Sequence, residues 1–269
     1  MNGKSYIIDF GCCLPFGHNV HSVKLYKERE KKCGREVHAL VCDSLKNKSC
    51  IDDEFNASLP VLYHNLIIDA EENSIKRNLI KLKSTIIKHS LSIFSSEQNI
   101  KEKRSILALK KHFDEVKFTS KDRVILPSAD YFGAYSVLHY FRDYGEERPE
   151  IYLRFIGVME YYYLDSFSKL VSLINKYEAD LFITAEIPKY ARFLNGLIKN
   201  FEVKSQPYPL YFDDFNNDRV ESLGSSLTIL VAGTGRPDKG YFELYELIKS
   251  VFYSHPNVKF LVQDMKAWD

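Results

Sequence analysis

The chain has 269 residues, with 37 Lys or Arg against 36 Asp or Glu and a formal net charge of +1 at pH 7. This balance creates no strong field for a polyanion, so no nucleic-acid partner is expected. All five cysteines lie between Cys12 and Cys50, and without a signal peptide they indicate reduced thiols in a cytoplasmic protein. No stretch approaches the ~20 apolar residues that a membrane-spanning helix needs.

The first predicted unit consists of a strand, a loop, a helix and a second strand. A short apolar strand at 6–10 leads into a loop that ends with Gly17 and His18. A helix follows at about 19–33. It ends at Gly34, which suits the position after a helix C-terminus. The segment 36–42 then predicts the next strand.

Strands and helices keep alternating through the middle of the chain. Asp130 is predicted to cap a helix at its N-terminus, and Glu186 follows a strand at its carboxyl end. This alternation predicts an α/β fold with a mostly parallel, Rossmann-like sheet covered by helices on both faces. The predicted strands lie at 123–126, 150–156, 180–185 and 201–203, and the predicted helices at 131–142, 164–177 and 188–200.

The boundary between two domains is predicted where prolines, acidic residues and asparagines cluster. Residues 1–208 form the first domain, 209–225 the linker and 226–269 the start of a second domain. After the linker, the pattern predicts only a strand at 227–232, a helix at 241–253 and a strand at 258–262. One β-α-β unit is too small for a core of ordinary domain size, so the second domain is expected to be incomplete.

A loop between the last predicted strand and helix has the features of a phosphate site. The segment 233–240 reads Gly-Thr-Gly-Arg-Pro-Asp-Lys-Gly and contains Gly235, Arg236 and Lys239. A helix N-terminus offers unpaired N–H groups and a positive dipole end. The two cations, three residues apart, suit a diphosphate. The alternative interpretation is a glycine-rich turn carrying two solvated cations.

The Gly-Arg-x-x-Lys-Gly pattern after a strand resembles the donor-binding loop of GT-B glycosyltransferases, especially the retaining enzymes that use nucleotide sugars. The first β-loop-α-β unit also looks like the opening unit of that family. The resemblance implies that the chain is the N-terminal, acceptor-side domain with the start of the donor domain. It implies an enzyme that moves a sugar from a nucleotide sugar to a cell-surface glycan or lipid-linked acceptor, with retention of the anomeric configuration.

The resemblance also assigns roles to particular residues. Gly235, Arg236 and Lys239 would bind the donor phosphates together with Gly17, and His18 and Glu186 are weaker candidates for contacts to the acceptor or sugar. No catalytic residue is identified. The family needs no bound metal or other cofactor, and the cysteine spacing predicts no metal site.

Two alternatives stay open. A basic segment at 74–111, rich in Leu and Ile, could contact the inner surface of a membrane, or it could be an ordinary exposed helix. The chain could also be a non-catalytic α/β binding or assembly module with a transferase-like core. The absence of an acidic motif for the donor ribose favours that second function.

Overall fold

The computed structural model describes residues 3–14, 18–46, 48, 55–62, 97–145, 147–156, 164–178, 180–207, 227–231, 241–255 and 257–262. The chain divides into two compact units, Met1–Leu210 and Tyr211–Asp269. The first unit contains a parallel sheet with helices on both of its faces. It has the α/β, Rossmann-like fold that the alternating pattern predicts.

The described part of the first unit contains seven strands, five α-helices and a short 3-10 turn. The strands are β1 (Lys4–Asp9), β2 (Glu36–Cys42), β3 (Phe55–Leu59), β4 (Arg123–Ala129), β5 (Glu150–Phe155), β6 (Leu181–Ala185) and β7 (Val203–Ser205). The helices are α1 (His18–Lys32), α2 (Glu97–Phe113), α3 (Tyr131–Arg142), α4 (Leu164–Asn175) and α5 (Pro188–Leu197), and the 3-10 turn is Asp43–Leu45.

All neighbouring strands of the sheet are parallel, in the order β3-β2-β1-β4-β5-β6-β7. The chain first builds the sheet outward from β1 to β3 and then returns to place β4 on the other side of β1. This reversal creates a switch point between β1 and β4, where the loops after the two strands diverge. Such a crevice at the carboxyl ends of the strands is the usual ligand site of open α/β sheets.

The core lies on both faces of the sheet, because alternate residues of each strand point to opposite sides. On one face, Ile7, Val41 and Ile125 pack with Val20 and Val23 of α1. The other face carries a larger cluster that includes a group of aromatic rings from β1, α2, α3 and the loop before β4: Tyr6, Phe113, Phe118 and Phe141. Burial on both faces explains why the strands are nearly continuous apolar runs in the sequence.

Local signals set the helix ends. The Asp130 side chain accepts a hydrogen bond of 2.6 Å from the Gly133 N–H, so the predicted N-cap of α3 is confirmed. Gly34 has φ of 74° just after α1, a conformation that glycine adopts without strain. α5 begins at Pro188, where the missing N–H leaves no intrahelical bond unmade.

Several elements differ from the predictions. β4 continues to Ala129 instead of ending at residue 126. Pro127 has no N–H for the sheet, and the pairing of β4 with β5 shifts register between Leu126 and Ala129. β7 occupies Val203–Ser205 instead of 201–203, and neither β3 nor the full length of α2 was predicted. Of the basic segment at 74–111, residues 97–111 lie in α2 and 74–96 are outside the described residues.

In the second unit, β8 (Leu227–Val231) pairs in parallel with β9 (Val258–Val262), and α6 (Tyr241–Ser254) connects them. These elements match the predicted β-α-β unit. The large apolar side chains described as exposed in this unit are Leu227, Ile229, Tyr245, Leu247, Phe252, Tyr253 and Leu261.

Candidate functional site

The switch point between β1 and β4 brings together the loop that follows β1, the start of α1 and the carboxyl end of β4. Asp9 is the last residue of β1, and Asn19 lies in the first turn of α1. Ser128 lies near the end of β4, and Asp130 caps the helix that follows it. We call the group Asp9, Asn19, Ser128 and Asp130 the switch-point cluster.

A tight turn after β1 holds the Asp9 carboxyl group in place. The Gly11 N–H donates to Asp9 Oδ1 at 2.8 Å, and the Cys12 N–H donates to the Asp9 carbonyl at 3.3 Å. A Cβ at Gly11 would lie 2.4 Å from Asn19 Nδ2 and 3.2 Å from Asp9 Oδ1, so a larger residue here would displace the Asn19 side chain. Glycine therefore lets the turn and the start of α1 approach the carboxyl group.

The two oxygens of the Asp9 carboxyl group have different surroundings. Oδ1 also accepts a bond of 3.2 Å from Asn19 Nδ2, whereas Oδ2 is buried without a hydrogen-bond partner. The Ser128 hydroxyl is also buried and lies beside Asp9, where its hydrogen bonding acts to lower the pKa of the carboxyl group. Unpaired buried polar atoms are uncommon and unfavourable in proteins. The unpaired Asp9 Oδ2 at a switch point therefore indicates a place for a ligand's polar group.

Burial raises the pKa of Asp9 from 3.8 to about 7, and the negative charge of Asp130 raises it further in the same direction. The hydrogen bonds from Asn19, Gly11 and Ser128 lower it only partly. Near neutral pH, this carboxyl group therefore exists in both protonation states. It can accept or donate a proton at the pH at which most enzymes work.

The neighbouring cysteines are not prepared for nucleophilic chemistry. Cys12, Cys13 and Cys42 are all buried. Burial, with a contribution from Asp9, raises the pKa of Cys13 to about 11, and burial also raises the pKa of Cys42. A thiol that stays protonated is a poor nucleophile and a poor metal ligand. Cys13 and Cys42 pack against Val61 and help to hold the loop after β1 against β2.

Most of the residues predicted to bind the donor are not among those that the structure describes. Gly17, Gly235, Arg236 and Lys239 lie outside the described residues, so their proposed phosphate contacts remain predictions. His18 begins α1, directly before Asn19 of the switch-point cluster, but its side chain is not among those described.

Glu186 lies where the sequence pattern placed it, directly after β6 at the carboxyl end of the sheet. Its side chain is half-buried, and its N–H donates to the Phe155 carbonyl at 3.1 Å. Because β5 separates β6 from β4, Glu186 is two strands away from the end of β4. It therefore lies on the same edge of the sheet as the switch-point cluster without being part of it.

Sequence reasoning missed both Asp9 and Ser128. Asp9 was included in an apolar strand, and Ser128 was assigned to a loop after β4. An ionisable residue ending a buried strand is a usable signal, since a buried carboxyl group needs partners or a function. The segment Tyr6-Ile7-Ile8-Asp9-Phe10 carries that signal in the sequence.

Among the described residues, no three or more His, Cys, Asp or Glu side chains come together in a group able to hold a metal ion. None of the described helices has both the length and the apolar character needed to cross a membrane.

Comparison with known proteins does not place the chain in a family. No protein-family model matches the sequence, and a search of curated proteins finds no significant match. The function therefore has to be argued from the fold, the switch-point cluster and the motifs of the chain.

Proposed function

We propose that this protein transfers a sugar from a nucleotide sugar to a hydroxyl group of a cell-surface glycan or lipid-linked acceptor, with retention of the anomeric configuration. In this proposal the first unit binds the acceptor at the switch-point cluster. The loop at 233–240 binds the diphosphate of the donor through Arg236 and Lys239. The observation that carries the proposal is the buried Asp9 carboxyl group, whose unpaired oxygen lies at the usual ligand position of this fold.

Asp9 can supply a hydrogen-bond acceptor that orients the hydroxyl group of the acceptor sugar. A sugar hydroxyl that donates to Asp9 Oδ2 satisfies the one oxygen of this carboxyl group that lacks a partner. The Ser128 hydroxyl beside Asp9 is a second polar group that the sugar hydroxyl can contact. Holding the hydroxyl in one orientation reduces the entropy lost on reaching the transition state. Because the pKa of Asp9 is about 7, the accepting carboxylate form becomes more populated as the pH rises through neutrality.

The donor half of the proposal is supported by the sequence. Loss of the nucleoside diphosphate builds negative charge on its terminal phosphate. Fixed cations and helix N–H groups stabilise that charge more strongly in the transition state than in the bound donor. Arg236 and Lys239 precede the predicted helix at 241–253, and α6 begins at Tyr241.

Calorimetric titration with UDP, GDP and their sugars tests donor binding. We expect one nucleotide sugar to bind, and Arg236→Ala to weaken binding of the matching nucleoside diphosphate by about tenfold or more. Arg192→Ala is the matched control, since Arg192 is exposed on α5 of the other unit. If no nucleotide or nucleotide sugar binds, or if Arg236→Ala binds as tightly as the unaltered protein, the donor assignment is wrong.

Asp9→Asn tests the acceptor half separately. We expect this variant to bind the donor normally but to transfer sugar about 100-fold more slowly, because the attacking hydroxyl is no longer oriented by a carboxylate. For the unaltered protein, kcat/KM should rise as the pH passes about 7, and the variant should lack this rise. Equal rates and equal pH profiles would remove Asp9 from the reaction while leaving the donor assignment intact.

A further inference from the structure

A groove lies between α4 and α5, on the opposite face of the sheet from α1. Both helices connect parallel strands, so both run from the carboxyl edge of the sheet to its amino edge. α4 packs on α3, whereas α5 packs on β6 and β7. The space between α4 and α5 has a volume of about 390 Å³ and opens to solvent. We call it the α4–α5 groove.

Side-chain contacts join the two helices at both ends of the groove. In the first turn of α4, the ring of Phe167 stacks on that of Phe193 from α5 at 6.2 Å, with an interplanar angle of 18°. After the last turn, the Asn175 side chain donates to the Leu197 carbonyl at 3.1 Å and accepts from the Lys199 N–H at 2.8 Å. These contacts hold α4 and α5 in place, so the groove is formed without a partner.

The groove has exposed apolar side chains along one wall. Phe193 and Leu197 lie one turn apart on the same side of α5 and are 39% and 37% exposed. Exposed aromatic and aliphatic side chains beside a groove are typical of places where another protein binds. The residues that line the groove together with Leu197 are Phe167, Ser168, Val171, Ser172, Asn175 and Lys176.

The same surface carries cations without acidic neighbours in the chain. The segments 167–177 and 187–200 contain no Asp or Glu. Within the described residues, Lys176 and Lys189 form no salt bridge. Lys176 lines the groove, and Lys189 lies one turn before Phe193 on the same side of α5. The surface therefore combines positive charge with exposed apolar side chains, although the whole chain is nearly neutral.

Charge and shape together favour one kind of partner. A second copy of this chain, bound through the same surface, would bring two sets of cations together, which is unfavourable. A flat bilayer would cover the polar side chains of Ser172 and Asn175 without supplying hydrogen bonds to them. A helix fits the space between two parallel helices, because rows of its side chains can enter the groove.

We propose that the α4–α5 groove binds an acidic amphipathic helix of a partner protein. The apolar residues of this helix contact Phe193 and Leu197, and its carboxylates pair with Lys176 and Lys189. From Phe167 to Lys176 the groove extends for about 14 Å along α4. That length accommodates three apolar positions of a partner helix, at the spacing i, i+4 and i+7.

Fluorescence anisotropy with labelled synthetic peptides tests the proposal. The first probe is a peptide of about 18 residues, with Leu on one face of the helix and Glu on both sides of that face. We expect it to bind with a Kd of about 100 μM or tighter. A peptide with Lys in place of every Glu, and one with Ser in place of every Leu, should each bind at least about tenfold more weakly.

Phe193→Ser connects apolar binding to the groove. It should weaken binding of the Glu peptide at least about tenfold. The changed side chain is partly exposed, so the fold should persist, and urea denaturation checks this. Leu107→Ser, at an exposed apolar position on α2, is the matched control and should bind the peptide normally.

A charge reversal connects the acidic preference to the two lysines. The double variant Lys176→Glu/Lys189→Glu should bind the Glu peptide at least about tenfold more weakly and the Lys peptide more tightly than the unaltered protein does. Lys103→Glu/Lys110→Glu, with both changes at exposed positions of α2, is the matched control. It should keep the preference for the Glu peptide.

Several results would overturn the proposal. These are the absence of Glu-peptide binding at about 1 mM, equal binding of the Lys peptide, and unchanged affinity in Phe193→Ser. Flotation with vesicles of phosphatidylglycerol and phosphatidylcholine that Phe193→Ser abolishes, without peptide binding, would assign the surface to a membrane instead. A dimer that Phe193→Ser dissociates would assign it to a second copy. None of these outcomes bears on sugar transfer, because Asp9→Asn and Arg236→Ala test that function at other sites.

Discussion

Two regions of the first unit bury a carboxyl group, and the pKa values of these two groups shift in opposite directions. Asp9 at the switch point is 2% exposed and has one unpaired oxygen. Glu102 on α2 is 6% exposed, but it accepts from the Tyr131 hydroxyl at 2.6 Å, from Lys169 at 2.5 Å and from Gln98 at 3.0 Å. The depth of burial is similar, and the number of partners differs.

The pKa values of the two groups follow from the protein that surrounds each carboxyl group, which is denser around Asp9, and from their partners. Burial raises the pKa of Asp9 to about 7, since its hydrogen bonds are too few to stabilise the charge. Burial also acts to raise the pKa of Glu102, but the bonds from Lys169, Tyr131 and Gln98 outweigh it, so the pKa is lowered. Glu102 therefore joins α2, α3 and α4 as a structural anion, whereas Asp9 keeps an unsatisfied oxygen for a ligand.

The largest expected effect is the dependence of stability on pH that Asp9 causes. The folded protein keeps the Asp9 proton up to about pH 7, whereas the unfolded chain loses it near pH 4, so stability should fall as the pH rises between these values. The difference corresponds to roughly 4 kcal/mol. Urea denaturation from pH 4 to pH 8 should show this fall, and Asp9→Asn should largely remove it. An identical pH profile in the variant would contradict the unusual pKa.

The charged carboxylate of Asp9 destabilises the folded protein, whereas that of Glu102 should stabilise it, so its removal should lower the free energy of unfolding. Glu102→Ala leaves the buried Tyr131 hydroxyl without its acceptor and separates Lys169 from its partner, so we expect a loss of about 2–3 kcal/mol in the free energy of unfolding at pH 7. Urea denaturation measures this loss. Glu115→Ala, at an exposed position, is the control and should change stability by less than about 0.5 kcal/mol. A stabilised Glu102→Ala variant would remove the contrast between the two carboxyl groups.

The smallest expected effect comes from Gly11→Ala, which tests how the turn after β1 controls the pKa of Asp9. The Cβ of Gly11→Ala would displace Asn19 Nδ2 and break its bond to Asp9, which costs about 1 kcal/mol. Because this bond lowers the pKa of Asp9, its loss should raise that pKa further. Carboxyl ¹³C NMR titration measures the change. Gly145→Ala is the control, since no atom lies within 4 Å of the added Cβ, and it should leave the titration of Asp9 unchanged.

Much of the fold was predictable because its signals are local. The apolar runs of β2 and β9 matched the observed strands residue for residue, as did the limits of α3, which starts at the Asp130 cap. Errors occurred where packing overrode a local signal. Pro127 suggested the end of a strand, but β4 continues past it because Ala129 still pairs with Phe155 of β5. β3 has the mixed sequence Phe-Asn-Ala-Ser-Leu and joins the sheet at its edge.

The candidate site was much less predictable. The glycine-rich loop at 233–240 is visible because its residues are contiguous, but its phosphate contacts remain a prediction. The switch-point cluster is assembled from residues that are far apart in the chain, Asp9 and Asn19 on one side and Ser128 and Asp130 on the other. Nothing in the segment around Asp9 indicates that the acidic Asp130, more than a hundred positions later, lies close enough to raise its pKa.

The amino-acid sequence by itself determined the α/β class, the order of the main strands and helices, and the caps that end them. These features depend on the periodicity of apolar residues and on backbone preferences within a few positions. Only the tertiary structure decided that β4 lies beside β1, that Asp9 keeps an unpaired oxygen, and that the rings of Tyr152 and Phe182 stack on each other. Proton affinity and stacking depend on distances through space, which the linear order of residues does not specify.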